Sequence, residues 1–187
     1  MASVRKGVKD TGARKKILEA ADEVARLGGP SNLSLDAVAL KAGVSKGGLL
    51  YHFPSKAKLL QALVESHVVQ FEDALQSIVR PKVGSENSLI DGFLELFPLE
   101  KAKKKPAAAA ILAALAENPD LTAPVRTYQR DLLDRMKENA SDPAMTVVAF
   151  LALHGAQHMG LLKMDVVNED EICAAIARIR ECFDAKS

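Results

Sequence analysis

The sequence predicts an all-α protein of about nine helices, with a small N-terminal helix-turn-helix domain and a larger C-terminal helical domain. Apolar residues recur with a helical period through nearly all of the 187 residues. Leu, Ala, Lys, Glu and Arg, which favour helices, dominate the long segments. No segment shows the alternating apolar pattern that is typical of a strand.

The N-terminal segment predicts a basic arm followed by one amphipathic helix. Residues 1–10 are polar and basic, and we expect them to form a flexible arm. Helix one begins near Thr11, a suitable N-cap, and places Ile17 and Ala21 on one face. The Gly-Gly-Pro run at 28–30 ends this helix, because proline cannot continue the helical hydrogen bonds.

Residues 34–54 predict a helix-turn-helix. Ser34 is a suitable N-cap for helix two, Gly43 supplies a tight turn, and Ser45 caps helix three, which ends at Pro54. In this motif the first helix braces the second, whose exposed N-terminal residues reach the edges of DNA bases. A closed core for the three helices is available from Ile17, Leu18, Ala21, Val38, Leu49 and Phe53.

Two adjacent glycines in helix three are unusual. Gly47 and Gly48 each cost a helix about 1 kcal/mol relative to alanine. Such a pair indicates a backbone that approaches another surface closely. DNA is one candidate for that surface, and the fourth helix is the other.

The rest of the chain continues as helices. Helix four is predicted from Ser55 to about Val79, and further helices are predicted at about 86–98, 106–117, 121–139, 143–162 and 169–184. We place the DNA-binding domain at 11–60 and the second domain at 61–187. The boundary falls inside helix four, which we expect to join the two domains rigidly.

The charge is distributed unevenly. Residues 1–60 carry 11 Lys and Arg against 5 Asp and Glu, whereas the remainder carries 14 against 19, although the net charge is only +1. A basic N-terminal part on an acidic body predicts an anionic partner for the first domain alone.

Several classes of protein are not expected. No apolar run approaches the roughly 20 residues of a membrane-spanning helix, and no secretory segment is present. Cys173 and Cys182 are expected to be reduced thiols of a cytoplasmic protein. We find no nucleophile–base pair or phosphate loop, so we expect no enzyme and no cofactor. His154 and His158 have a metal-ligand spacing but no third ligand nearby, so we expect no metal.

Residues 11–64 resemble the N-terminal DNA-binding domain of the TetR/AcrR family of bacterial transcription repressors. The similarity is carried by Ile-Leu-Glu-Ala-Ala at 17–21, Leu-Ser-Leu-Asp-Ala-Val-Ala at 33–39, Gly-Val-Ser-Lys-Gly at 43–47 and Tyr-His-Phe-Pro-Ser-Lys-Ala-Lys-Leu-Leu at 51–60. Gly48 and Leu50 depart from the family pattern, in which a small polar residue and an aromatic residue are frequent there. These departures affect the expected operator sequence, not the family.

The resemblance implies contacts with double-stranded DNA. The helix that begins at Ser34 and Leu35 would offer backbone N–H groups to a phosphate, and Lys46 would donate to a guanine. Alternatives remain: Tyr51 could be a core aromatic, and His52 and Lys56 could be ordinary surface residues. The basic arm could either reach DNA or only solubilise the chain. The expected DNA-binding residues are Ser34, Leu35, Ser45, Lys46, Gly47, Leu50, Tyr51, His52 and Lys56.

For the second domain the resemblance implies a small-molecule effector and a homodimer. Candidate ligand contacts are Phe71, Phe93, Phe97, Leu112, Leu115, Tyr128, Leu132, Phe150, His154, Gln157 and His158. Small residues that permit close helix approach and one apolar stripe predict the dimer interface: Ala152, Gly155, Ala156, Ile172, Ile176, Ile179 and Phe183. The alternative for both groups is that they are core residues of a single chain.

The favoured interpretation is a homodimeric, ligand-responsive repressor that releases a palindromic operator when a small, mostly apolar effector binds. A DNA-binding regulator controlled by a protein partner, or an activator, is the alternative.

Overall fold

The computed structural model of the chain describes residues 12–28, 33–82, 84–102, 118–161, 164 and 166–185. Within these ranges the fold is all-α, as predicted, with eight α-helices and no strand. None of the helices in these ranges is long and apolar enough to cross a membrane. The helices are α1 (Gly12–Gly28), α2 (Leu35–Ala42), α3 (Lys46–His52), α4 (Lys56–Val79), α5 (Ser88–Ala102), α6 (Ala123–Asn139), α7 (Pro143–Leu161) and α8 (Glu169–Asp184), with 3-10 turns at Arg80–Lys82 and Pro119–Thr122.

The helix boundaries differ from the predicted ones in two places. Helix α5 continues through Pro98 to Ala102, so proline occupies an interior position and one backbone hydrogen bond is missing there. Helix α6 begins at Ala123, because residues 119–122 form a 3-10 turn capped by Asn118. The predicted arm at 1–10, the cap at Thr11 and the predicted helix at 106–117 lie outside the described residues.

The chain forms two compact units. The first contains the described residues 12–28, 33–66 and 118–123. The second contains 67–82, 84–102, 124–161, 164 and 166–185. Helix α4 contributes residues to both units.

In the first unit, α1 packs on α2 and α2 packs on α3. An exposed ion pair also joins α1 to α2, with Lys41 Nζ 2.6 Å from Glu23 Oε1. The core of this unit consists of apolar side chains from α1, α2, α3 and the first two turns of α4. All six predicted core residues are buried: Ile17, Leu18, Ala21, Val38, Leu49 and Phe53, joined by Leu33, Leu59, Leu60 and Leu63.

The turn between α2 and α3 depends on one glycine. Gly43 has a φ of +67°, in the left-handed region that residues with a Cβ rarely adopt. Its N–H donates to the carbonyl of Leu40 at 3.2 Å, and the N–H of Val44 donates to that of Ala39 at 3.1 Å. A Cβ on Gly43 would meet no atom within 4 Å, so conformation alone calls for glycine.

Gly43→Ala is therefore expected to lower the free energy of unfolding by about 1 to 2 kcal/mol, the cost of a left-handed conformation for an L-residue. Urea denaturation followed by circular dichroism measures this loss. Gly47→Ala is the matched control, because Gly47 has no positive φ and a Cβ there meets only Ser45 Oγ, at 4.0 Å. Equal losses in both variants would contradict the conformational explanation.

The second unit has its own apolar core, built from α4, α5, α6, α7 and α8. Helices α5 and α7 pack together, as do α7 and α8. The fully buried or nearly buried members include Leu75, Val79, Ile90, Phe93, Leu94, Leu96, Leu132, Met136, Phe150, Leu153, Ile176, Ile179 and Phe183.

A buried polar junction ties the start of α5 to the end of α6. Asn139 Oδ1 accepts hydrogen bonds from the Leu89 N–H at 3.0 Å and from Ser88 Oγ at 3.2 Å. Asn87, which adopts a φ of 63°, accepts from the Ser141 N–H at 2.9 Å. Asn139 thereby satisfies N-terminal amide and hydroxyl groups that α5 cannot satisfy within itself.

Candidate nucleic-acid interface

The first turn of α3 is the candidate base-reading surface. Ser45 caps the helix, and its Oγ accepts a hydrogen bond from the Gly48 N–H at 3.0 Å. Ser45, Lys46 and Gly47 are exposed, whereas Leu49 is fully buried in the first unit. Burial of Leu49 holds α3 against the core of the first unit and leaves Ser45, Lys46 and Gly47 facing solvent.

Packing within the chain does not explain Gly47. Among the described residues, a Cβ on Gly47 would come within 4 Å only of Ser45 Oγ, and no atom of α4 lies that close. A Cβ on Gly48 would contact Ser45 Oγ at 3.2 Å and Val44 Cβ at 4.0 Å. Close approach to α4 therefore does not explain either glycine; the cap at Ser45 restricts the space at Gly48, whereas Gly47 has no close neighbour among the described residues.

Tyr51 lies on the surface and not in the core. Its side chain is 84% exposed, and its ring packs edge-on against His52 with the ring centroids 5.2 Å apart. The alternative of a core aromatic is wrong, because Phe53 occupies the buried position of this segment. His52 and Leu50 are half-buried beside it.

Three further sequence-predicted residues lie at helix starts in the same unit. Ser34 is exposed and caps α2, with Oγ accepting from the Ala37 N–H at 3.2 Å. Leu35 is the half-buried first residue of α2. Lys56 is the half-buried first residue of α4, just after Ser55, whose Oγ accepts from the Lys58 N–H at 3.2 Å.

The structure adds an ion pair that the sequence analysis missed. Lys46 Nζ lies 2.9 Å from Asp36 Oδ1 and 3.2 Å from Asp36 Oδ2, which joins the first turn of α3 to the first turn of α2. Both side chains remain mostly exposed. Asp36 and Lys46 each follow a predicted N-cap residue. No sequence pattern indicates that the starts of these two helices lie side by side.

A second missed residue is Arg14 of α1. Its guanidinium lies over the ring of Phe53, 5.2 Å from the centroid. Arg14, His52 and Lys58 line one shallow cleft of about 300 Å³. Arg14 and Lys58 contribute positive charge to this cleft, and Glu65 in the same cleft contributes a negative charge.

Comparison with known proteins identifies both units. Residues 17–63 match the family profile described as bacterial regulatory proteins, tetR family. Residues 87–184, more than half of the chain, match the profile described as tetracyclin repressor-like, C-terminal domain. The chain belongs to the TetR family.

Curated relatives share only part of their length with this TetR-family chain. The HTH-type transcriptional regulator SrpR of Pseudomonas putida is 37% identical over 75 residues, which is 40% of this chain and 33% of SrpR. The nucleoid occlusion factor SlmA of Haemophilus ducreyi is 30% identical over 105 residues, 54% of this chain and 50% of SlmA. The chain thus spans between about a third and a half of these relatives.

Solved structures share the fold over nearly the whole chain. The reduced form of NemR from E. coli superposes with a TM-score of 0.70 at 16% identity, covering 91% of this chain and 97% of NemR. The multidrug binding protein EbrR complexed with malachite green superposes with a TM-score of 0.67 at 21% identity, covering 90% and 98%. At these identities the likeness shows the TetR fold.

The predicted effector residues of this TetR-family chain fall into three groups. Phe93, Leu132 and Phe150 are buried in the second core, and Phe71, Phe97 and Tyr128 pack against it. Gln157 and His158 are exposed on α7, and His154 is half-buried. Leu112 and Leu115 lie outside the described residues.

An aromatic cluster brings five of these side chains together. Phe71 meets Phe93 and Tyr128 edge-on at 6.2 and 6.0 Å between centroids. Phe93 stacks on Phe150 at 5.8 Å and on His154 at 5.6 Å. The five rings thus form one connected cluster, joined by these contacts at 5.6–6.2 Å between centroids.

A charged network that the sequence analysis also missed borders this aromatic cluster. Glu72 accepts hydrogen bonds from Tyr128 Oη at 2.7 Å and from both terminal nitrogens of Arg135 at 3.0 Å. Burial alone raises the pKa of Glu72, but the bonds from Arg135 and Tyr128 outweigh it and hold that pKa below its usual value. Burial and the bond to Glu72 raise the pKa of Tyr128 far above its usual value.

Burial favours the neutral form of His154. Its Nδ1 lies 2.9 Å from the carbonyl oxygen of Phe150, so Nδ1 carries the proton and donates it. Burial lowers the pKa of His154, and the bond to Phe150 only partly offsets this. The ring of His158 is 6.2 Å away, centroid to centroid. Within the described ranges no group of three or more His, Cys, Asp or Glu could hold a metal ion.

The predicted dimer residues divide between the core and the surface. Ile176, Ile179 and Phe183 are buried in the chain's own core, with Ile172 packed against it, so this stripe takes the alternative role that the sequence left open. Ala152 is exposed, and Gly155 and Ala156 are half-exposed.

Helix α7 carries an exposed apolar face that the sequence analysis only partly found. Val148 is 55% exposed and Leu151 is 64% exposed, while Ala144 and Ala152 are also on the surface. These positions recur at helical spacing, so they lie on one side of α7. Ala152 was predicted for the dimer interface, but Val148 and Leu151 were missed, because a nearly uniformly apolar helix gives no periodicity from which to choose a face.

Proposed function

We propose that this TetR-family protein is a DNA-binding transcriptional regulator that binds a palindromic operator as a homodimer. The observation that carries the proposal is the exposed first turn of α3, with Lys46 and Gly47 in solvent above the buried Leu49. A helix presented in this way fits the major groove, which is wide enough to admit it.

The proposed contacts divide into base reading and phosphate binding. Lys46 donates to guanine O6 or N7, and Ser45 and Gly47 allow the backbone to come close to the base edges. Tyr51, His52 and Lys56 bind phosphates, as do the backbone N–H groups of α2 near Leu35. The exposure of Tyr51 and the positive flank at Arg14 and Lys58 support this division.

Lys56→Ala is expected to weaken binding to every DNA sequence by a similar factor, because a phosphate contact carries no sequence information. The logarithm of the binding constant should also fall less steeply with the logarithm of salt concentration, by about one unit of slope. Fluorescence anisotropy on a specific and a random duplex at several salt concentrations measures both. A loss confined to the specific duplex would contradict the phosphate role.

The dimer in this proposal forms through the apolar face of α7. Val148 and Leu151 supply apolar area, and Ala144 and Ala152 allow the facing helix to come close. Two recognition helices about 34–36 Å apart then read two half-sites of a palindrome.

Release of the operator by a small, mostly apolar effector is the finer part of the proposal. The effector would enter the aromatic cluster of Phe71, Phe93, Tyr128, Phe150 and His154 and separate the rings. The fold neighbour EbrR has been solved with malachite green, which supports a small molecule in a protein of this fold. Helix α4 contains both Phe71 and Lys56, so a displacement of the helix near Phe71 would be transmitted to Lys56. A coupling free energy of about 1–3 kcal/mol between the effector and the operator weakens operator binding about 5–150-fold.

A regulator without a small-molecule effector is the second candidate. The close ring-to-ring contacts of the aromatic cluster favour it, because this arrangement leaves the rings in contact with one another. A gel shift with and without cell extract, at fixed salt, separates the two candidates when the extract is passed through a small-pore filter. Release by the filtrate supports a small molecule, and release only by the retained fraction supports a protein partner.

Selection of duplexes from a random library by the purified protein tests the proposed function. We expect a palindromic site to be enriched, and we expect the binding ratio of protein to duplex to be two chains per site. Recovery of unrelated sequences after repeated rounds would overturn the proposal.

A further inference from the structure

The ion pair between Asp36 and Lys46 stands at the centre of the proposed DNA surface. It links the first turns of two adjacent helices, with the lysine Nζ 2.9 and 3.2 Å from the two carboxylate oxygens. Both side chains are well over half exposed. Exposed pairs of this kind contribute little to folding stability, so stability does not explain its position.

A carboxylate on this surface opposes DNA binding in general. Phosphates repel it, and it neutralises the lysine that would otherwise attract them. A free lysine is a flexible point charge that binds any phosphate within reach of its stem. When two carboxylate oxygens accept hydrogen bonds from the ammonium of a lysine, its remaining N–H points away from the carboxylate and has a fixed direction.

Resting on the proposed function, we propose that Asp36 is a positioning residue for Lys46 that sets sequence specificity. The carboxylate of Asp36 keeps the ammonium away from phosphates and directs it towards acceptors on base edges. The ion pair thereby lowers the affinity of the protein for DNA in general and raises its discrimination between the operator and other sequences.

The test compares wild type with Asp36→Asn, which keeps the size of the side chain and removes its charge. The probes are a palindromic duplex selected from a random library and a shuffled duplex of the same composition. We expect Asp36→Asn to bind the shuffled duplex more tightly, with a salt slope steeper by about one, because Lys46 now reaches a phosphate. The ratio of specific to shuffled affinity should fall by about tenfold, the scale of one base contact.

A double-mutant cycle separates action through Lys46 from a direct effect of Asp36. In the Lys46→Ala background, Asp36→Asn should leave the ratio of specific to shuffled affinity unchanged and should raise the affinity for both duplexes by a similar factor, because only the repulsion of phosphates is removed. Glu23→Gln is the matched control, because Glu23 holds Lys41 in an exposed pair of the same unit; it should leave the salt slope and the affinity ratio as in wild type.

The outcomes distinguish this inference from the proposed function. If wild type prefers the palindrome and Asp36→Asn leaves the slope and the ratio unchanged, the positioning role is overturned and the proposed function stands. A fall in the affinity ratio of Asp36→Asn that persists without Lys46 also overturns it, since Asp36 would then affect base reading by itself. If wild type shows no preference between the duplexes, both proposals fail.

Discussion

Leu151→Arg is expected to convert the proposed homodimer into a monomer and to weaken operator binding by at least about 100-fold. Leu151 is 64% exposed on α7, and Val148, which is 55% exposed, lies on the same side of the helix. An arginine there would bury an unpaired charge in each half of a two-fold interface, which costs several kcal/mol per charge. The operator affinity falls because each monomer then binds its half-site independently, without the increase in affinity that two linked half-site contacts provide.

Sedimentation velocity measures the change in mass, and anisotropy on the selected duplex measures the change in affinity. Leu99→Arg is the matched control: Leu99 is a 49% exposed leucine of α5 in the same unit, away from α7 in sequence. We expect it to remain a dimer with unchanged operator affinity. A Leu151→Arg protein that stays dimeric would place the interface elsewhere.

Lys46→Ala is expected to cost about 1–3 kcal/mol of discrimination, the contribution of one base contact, or a drop of about 5–150-fold in the ratio of specific to random affinity. Binding to random DNA should fall by a smaller factor than binding to the specific duplex, because the substitution leaves the Asp36 carboxylate unpaired but removes no base contact there. Competition of the selected duplex against a shuffled one at fixed salt gives this ratio.

Lys41→Ala serves as the control for Lys46→Ala. Lys41 is also an exposed lysine of the first unit held by a carboxylate, but it lies at the end of α2, away from the first turn of α3. We expect its ratio of specific to random affinity to match wild type. An equal fall in both variants would mean that general charge, and not base reading by Lys46, sets the preference.

The helix-turn-helix could be predicted from the sequence because its signals are local. Ser34 and Ser45 cap their helices, and Gly43 adopts the left-handed turn, each through contacts within a few residues. The apolar faces of α1 and α2 predict that Ile17 and Val38 belong to the core of the first unit. The structure buries both residues.

What could not be predicted depends on contacts between distant segments. The apolar stripe of α8 at Ile176 and Ile179 has the same spacing whether it faces its own core or a second chain, and the structure buries it in its own core. The pairing of Glu72 with Arg135 joins residues 63 positions apart, and no local pattern records it. Asp36 and Lys46 are nearer in sequence, yet their contact requires the turn geometry at Gly43.

The most direct test of the account compares the dissociation constants of the full chain for its selected palindrome and for a shuffled duplex at one physiological salt concentration. The account predicts a ratio of at least about 1,000 in favour of the palindrome, at the lower end of specific DNA-binding proteins. Equal dissociation constants for the two duplexes would contradict it, because the exposed turn at Lys46 would then read no base.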